Sequence, residues 1–353
     1  GKLWLLYTGF CENEGGKSIR QRQCLASSED GVHFTKHGVV IGEKELPPEF
    51  CPWDFRDPKV FRKEDAFYCV VAARMRGGRG RILLFRSEDL FHWEFVVDVL
   101  GEDGEGEMTE CPDYRDDIGV LLYSGQFQPS EGIAHRNIHS CFARVGVLDV
   151  HSGFCGSEST PVDYGFDFYA AQTFAGAPIM IGWLDMWDRN NPTRKYGWAG
   201  QLSVPRRVEV REGRLWQTPV YAGKEILRKE NEFSFSDHLK TGAVSLTAKN
   251  LRALTVFLHK KGDDAASLSL IGDEWIFDRS RAGEKIVGAE KDCDSLTGIR
   301  RMPCGETSEV RIEIVSDNFS VEIFIGGRSL SSLLCTDEDA DGLEISADAD
   351  SLT

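Results

Sequence analysis

"CLASSEDGVHF" (residues 24–34) and "LLFRSEDLFHW" (83–93) are two copies of one pattern. In each, an apolar run ends in Ser-Glu-Asp, turns, and closes on an aromatic residue. A second pair, "LLYTGF" (5–10) and "LLYSGQF" (121–127), repeats just as closely. Helical periodicity is nearly absent, and short apolar runs bounded by Gly, Asp, Asn and Ser recur instead. Repeats of a few short strands are the mark of propeller blades, each of which needs neighbours to cover its faces. The repeating texture persists to "GRLWQTPVY" (213–221). Past a charged connector, 222–232, which a short helix would suit, strict alternation takes over in "AVSLTAK" and "EVRIEIVSDNFSVEIFIGG". Period-2 alternation of this kind predicts an antiparallel β-sandwich. The expected division is therefore 1–221, a linker at 222–232, and 233–353, all of it β.

The 353 residues suffice for two cores. A formal net charge of −16 argues against nucleic acid or an anionic membrane as partner and suits a neutral ligand such as a sugar. No apolar run approaches the ~18 residues of a membrane span, "APIMIGWL" (177–184) being strand-sized. The ten cysteines form no C-x-x-C pair, and several, such as Cys69 in "FYCVV", fall within apolar runs. They read as buried thiols of a cytoplasmic protein.

Two places carry candidate chemistry. In "CPWDFRDPKVF" (51–61) and "MTECPDYR" (108–115), Asp57 and Glu110 stand just ahead of Pro58 and Pro112. Proline is tolerated on a free-edged innermost strand, and the residue before it is expected to be extended. Carboxylates from neighbouring blades would then meet at one channel mouth, as glycosidic cleavage requires. From spacing alone, solvated surface charge is the commoner explanation, since the chain holds 57 acidic residues. "DYGFDFYAAQTF" (163–174) adds Asp163, Asp167 and Tyr169, and residues 181–208 add Trp183, Trp187 and Trp198. Aromatic faces suit sugar rings, and they equally fill space between blades. His33/His37 and His135/His139 are spaced i,i+4, which on a strand spans about 13 Å, too far to share an ion. No metal site or cofactor is assigned, and no nucleophile elbow or phosphate loop is present.

At these residues the sequence resembles glycoside hydrolase family 32, the β-fructofuranosidases. "FRDPKVF" looks like the family's Arg-Asp-Pro motif and "ECPDY" like its Glu-Cys-Pro motif. "GFDFYAAQTF", "IMIGWLDMW", "NNPT" and "GWAGQLSVPRRV" match further along, and "FDRSRAG" and "FSVEIFIGG" resemble its sandwich. The resemblance implies a five-bladed β-propeller followed by a β-sandwich. It implies Asp57 as transition-state stabiliser beside Arg56, Glu110 as acid/base, and Cys111 as a neighbour of the sugar. Asp167, Tyr169, Trp183 and Trp187 are then expected to bind substrate, which would be sucrose, sucrose 6-phosphate or a short fructan. Arg194 and Lys195 are candidates for a phosphate subsite.

Two departures stand out. The family's nucleophile lies in an N-terminal Trp-x-Asn-Asp-Pro-Asn-Gly motif that this sequence lacks, so the first blade is expected to be missing and this chain to be inactive alone. Thr109 stands where the family often has Trp. The competing expectation is a non-catalytic sucrose- or fructan-binding propeller that lost its nucleophile. An arabinofuranoside-type glycosidase is a weaker fit to the two proline motifs.

Overall fold

The computed structural model describes residues 1–12, 19–101, 104–221, 232–288 and 295–353. Apart from short turns such as the 3-10 turn Pro192–Tyr196, its regular elements are strands. Four antiparallel sheets follow one another along the chain. The first holds Leu3–Glu12, Ile19–Ser28 and Thr35–Ile41. The second holds Phe50–Lys63, Ala66–Met75, Gly80–Ser87 and Glu94–Asp98. The third runs Met108–Arg115, Val120–Gln126, His139–Asp149 and Gly153–Gly156, with the short Thr160–Pro161 beside it. The fourth runs Tyr169–Thr173, Ile179–Leu184, Arg206–Arg211 and Arg214–Pro219, with Gln201–Leu202 beside it.

The repeats of the sequence become equivalent turns. Asp30 Oδ1 accepts the amides of Val32 and His33, and Asp89 Oδ1 accepts those of Phe91 and His92, in the same geometry. In both turns the second carboxylate oxygen lies 2.7 Å from the histidine Nδ1. These local bonds close the third-to-fourth-strand hairpin of one sheet and its counterpart in the other.

Burial explains the continuous apolar runs. Leu83 and Phe85 pack against Leu25 and Ile41 of the first sheet, while Ile82 and Leu84 face Leu121 and Tyr123 of the third. Val120 and Leu122, one residue to either side of Leu121, turn to Met180 and Leu184 of the fourth. A strand covered on both faces has no polar side to present, so alternation vanishes. The first sheet differs. Leu6 and Leu25 point to the second sheet, but Leu3, Leu5 and Val39 on its other face are 55%, 46% and 50% exposed.

Beyond the fourth sheet two further sheets face each other. One is ordered Ser234–His238, Gly342–Asp348, Ala253–Lys261, Asp264–Ile271, Glu274–Asp278, Ile299–Pro303. The other is ordered Arg328–Leu333, Ser320–Ile325, Glu309–Asp317, Gly242–Lys249, Ser351–Leu352. Their inner faces share one core that includes Val256, Trp275, Phe277, Ile312 and Ile323. The expected connector, 222–232, falls outside the described residues except for Glu232, as does Cys293.

The fourth sheet and the sandwich are joined by buried charge. Arg206, fully buried over the Phe168 ring, donates to Asp163, Gln217 and Ser329 through Nη1 and to Glu322 and Ser331 through Nη2. Asp167 is likewise fully buried. It accepts from Arg189 at 2.6 Å and from Arg279 and the Leu333 amide across the boundary.

Candidate active site

The innermost strands of the second, third and fourth sheets each carry a bulge at the same place. Pairing jumps between Arg56↔Ala72 and Lys59↔Val70, between Glu110↔Ser124 and Asp113↔Leu122, and between Tyr169↔Trp183 and Gln172↔Ile181. The first bulged residue of each is left-handed without being glycine: Asp57 at φ 60°, Cys111 at φ 48° and Ala170 at φ 54°. The expectation that the residue before Pro58 and Pro112 is extended is therefore wrong. The bulge withdraws both prolines from the ladder, where their missing N–H costs nothing, and the pre-proline residue takes the strain.

Each bulged residue leaves an amide to satisfy, and each finds a side chain of the preceding sheet. Asp57 N–H donates to Thr8 Oγ1 at 3.0 Å, and Ala170 N–H to Ser124 Oγ at 3.1 Å. Thr8 and Ser124 are the equivalent hydroxyls of the "LLYTG/LLYSG" repeat. The second sheet has Ala72 where the third has Ser124, as the pairing shows. With no hydroxyl there, the Cys111 amide donates instead to Asp57 Oδ2, at 3.1 Å, and the Cys111 thiol approaches the same oxygen at 3.7 Å.

Glu110 is the hub beside this turn. Its Oε1 accepts Nε and Nη2 of Arg56 at 2.9 and 2.6 Å, and its Oε2 accepts Gln126 Nε2 and Tyr169 OH at 2.7 and 2.8 Å. Arg56 also reaches Gln21 and Asp54. The Arg56 and Glu110 side chains keep 17% and 12% of their surface exposed, so solute can reach both. Burial pushes the Asp57 carboxyl above its ordinary value. The Cys111 amide works against that rise, and Glu110 adds to it. Burial opposes the Arg56 charge, but Glu110 outweighs it and the guanidinium is held more firmly protonated. Burial and then Glu110 raise the Tyr169 hydroxyl, which stays a donor.

Aromatic rings form one wall. Trp187, 41% exposed, meets Tyr169 edge-on at 5.3 Å and stacks with Trp183 at 6.0 Å. Gly200, at φ 72°, lets the chain pass Trp183, where a Cβ would lie 2.3 Å from its indole nitrogen.

Of the residues expected from sequence, Arg56, Asp57, Glu110, Cys111, Tyr169, Trp183 and Trp187 come together. Asp167 does not, because both its oxygens are committed to Arg189, Arg279 and the Leu333 amide. Lys195 pairs with Glu284, and with Arg194 it lies on the turn after Asn191. Gln126 is not among the residues expected from sequence, and His139 enters there only beside His135, at a spacing too long to share an ion. His139 stacks on Trp187 at 4.1 Å and bonds Asp188 at 2.6 Å, whereas His135 stacks on Phe142. The signal for Gln126 was its place at the end of the repeated "LLYSGQ" strand.

Two carboxylates, a guanidinium and an aromatic cluster thus converge where three bulged strands lie side by side. The chain belongs to glycosyl hydrolase family 32: residues 1–219 match the profile described as the glycosyl hydrolases family 32 N-terminal domain. It is 32% identical to a sucrose-6-phosphate hydrolase of Zymomonas mobilis, covering 96% of this chain and 72% of that one. It is 34% identical to a raffinose invertase of Escherichia coli, covering 98% and 75%. Among solved structures, the sucrose-6-phosphate hydrolase of Lactobacillus gasseri superposes with a TM-score of 0.87 at 25% identity, over 100% of this chain and 75% of that one. A Bombyx mori family 32 β-fructofuranosidase superposes at 0.79 with 26% identity, over 100% and 75%. No helix among the described residues is long and apolar enough to cross a membrane.

Proposed function

We propose that this chain is the greater part of a retaining β-fructofuranosidase acting on sucrose or sucrose 6-phosphate. Glu110 serves as acid/base. Asp57 binds fructose hydroxyls as the ring gains positive charge, and the nucleophilic carboxylate comes from a segment outside the given sequence. Residues 1–221 make up four blades of a five-bladed propeller, and 233–353 are a separate sandwich domain. The observation that carries the reading is the Glu110 hub, an accessible carboxylate held by Arg56, Tyr169 and Gln126 beside a second carboxylate pinned to the Cys111 amide. Relatives that hydrolyse sucrose 6-phosphate support the substrate class. The exposed apolar face of Leu3, Leu5 and Val39 supports a further blade lying against the first sheet. The nine described cysteines, all free, suit a cytoplasmic protein.

The chemistry is acid-assisted departure of the glucosyl oxygen, attack at the anomeric carbon, and hydrolysis of the fructosyl intermediate with Glu110 returning as base. Trp187 and Trp183 offer apolar faces to the sugar, and Arg56 and Tyr169 fix the orientation of the acid.

The second reading, a sugar-binding propeller without catalysis, is favoured by the absence of the nucleophile motif from the sequence. The test is an assay of the 353-residue chain, alone and extended upstream along its gene, on sucrose and sucrose 6-phosphate. The expected result is no turnover alone and turnover once extended. Robust turnover by the chain alone overturns the external nucleophile, and sugar binding without turnover by the extended protein establishes the second reading.

A further inference from the structure

A cleft of about 700 Å³ opens between the last strand of the fourth sheet, Arg214–Pro219, and the sandwich sheet that contains Arg328. Its floor is Trp216. The ring lies against Gly327, where a Cβ would sit 2.1 Å from a ring carbon, and its faces take Arg211 and Arg214 at 4.6 and 4.7 Å. Trp216 thus holds Arg214 in place at the cleft wall.

Arg214 is short of partners. Its Nη2 donates to Gly326 O at 2.7 Å, while its Nη1 is buried and makes no hydrogen bond. Arg328 lines the same cleft and reaches the Tyr164 hydroxyl. Among the described residues neither arginine has a carboxylate within ion-pairing distance. Of the acids on the cleft, Glu313 pairs with Arg311 and Glu306 accepts from Ser308, while Glu212 acts on the Arg214 charge only from a distance. Burial, and after it the Arg328 charge, lower the Arg214 pKa, and Glu212 partly offsets them.

Two like charges in a concave, partly dry site are unfavourable unless an anion joins them. Guanidinium forks are matched to the oxygens of phosphate, and a charge-assisted bond would give the buried Nη1 the partner it lacks. We infer that this cleft is a binding site for a small phosphate-bearing anion, seated between Arg214 and Arg328 against Trp216. Glu212 and Glu309 on the same cleft repel extended polyanions and restrict the site to a small one. The site uses neither Asp57 nor Glu110, so it stands independently of the catalytic reading.

The experiment is thermal denaturation of the whole chain in inorganic phosphate, balanced for ionic strength with sodium chloride, beside Arg214→Met and Arg328→Met. At a tenfold excess over Kd the melting temperature is expected to rise by about 2–3 °C. Both variants should lose that rise, and Arg328→Met, relieved of like-charge repulsion, should melt no lower than the parent without phosphate. Glycerol 3-phosphate separates the sources: a larger shift than with inorganic phosphate assigns the site to a phosphomonoester, and a smaller one to the free ion. No phosphate-specific shift in the parent, or the same shift in both variants, overturns the proposal.

Discussion

Arg56 gives both Nε and Nη2 to a single oxygen of Glu110, Oε1, leaving Oε2 to Gln126 and Tyr169. All four bonds are donated to Glu110, so a sugar oxygen seeking this carboxyl must displace one of these donors.

Glu110→Gln, made in the extended enzyme, should lower turnover of sucrose by about 10²–10⁴-fold. Substrates whose leaving group needs no proton should lose less in the first step, and azide should restore part of the second. Equal losses for all leaving groups, without azide rescue, would assign Glu110 to the framework.

Asp57→Asn separates catalysis from stability. Burial raises the Asp57 pKa, so this group's contribution to stability is full below its unfolded value of about 3.8 and is lost as pH rises through the folded value. Asparagine carries no such loss and accepts the left-handed backbone readily. The variant should therefore match the parent's melting temperature near pH 3 and equal or exceed it at pH 7, while kcat in the extended enzyme falls about 10²–10³-fold. A lower melting temperature at pH 7 with kcat intact would make Asp57 a structural residue.

Ala72→Ser tests why Asp57 faces Cys111. A hydroxyl at this fully buried position would occupy the place that Ser124 holds in the next sheet and compete for the Cys111 amide. Losing one hydrogen bond to a charged group corresponds to about 1.5–3 kcal/mol, so kcat should fall by about tenfold or more. Ala72→Gly, which adds no acceptor, should leave kcat near the parent's. Unchanged kcat in Ala72→Ser would show that the amide stays with Asp57.

Arg206→Met should be severe for stability, because it strands Glu322 and Asp163 without their cation in a dry boundary. The expected cost is about 3–5 kcal/mol, read from the denaturant midpoint. Adding Glu322→Gln should recover part of it, since the stranded charge is then gone. Additive losses would mean that the two side chains act separately.

The sheets were legible because their signals are local. The Ser-x-Asp turn closes within three residues, and a strand buried on both faces announces itself as an apolar run. Asp57 and Glu110 were legible because proline marks a break in the ladder. What hid was long-range. Asp167 reads like a site acid in "GFDFYA", and its partner Arg279 lies 112 residues away. The left-handed turn at Asp57 and Cys111 was missed for a physical reason: the local pre-proline preference is overridden by amides that a neighbouring sheet satisfies. Gln126 gave no titratable signal, and only the fold carries it to Glu110.

The bulges also divide each innermost strand into two lengths with separate obligations. Ahead of the bulge, Arg56 and Glu110 stay partly exposed and pair with each other. Past it, Val60 and Tyr114 answer to the packing between sheets. The extra residue absorbs the change of face, so a substitution on one side of the bulge need not disturb the alternation on the other. Such a strand can vary its exposed half while its packed half keeps the neighbouring sheets in place.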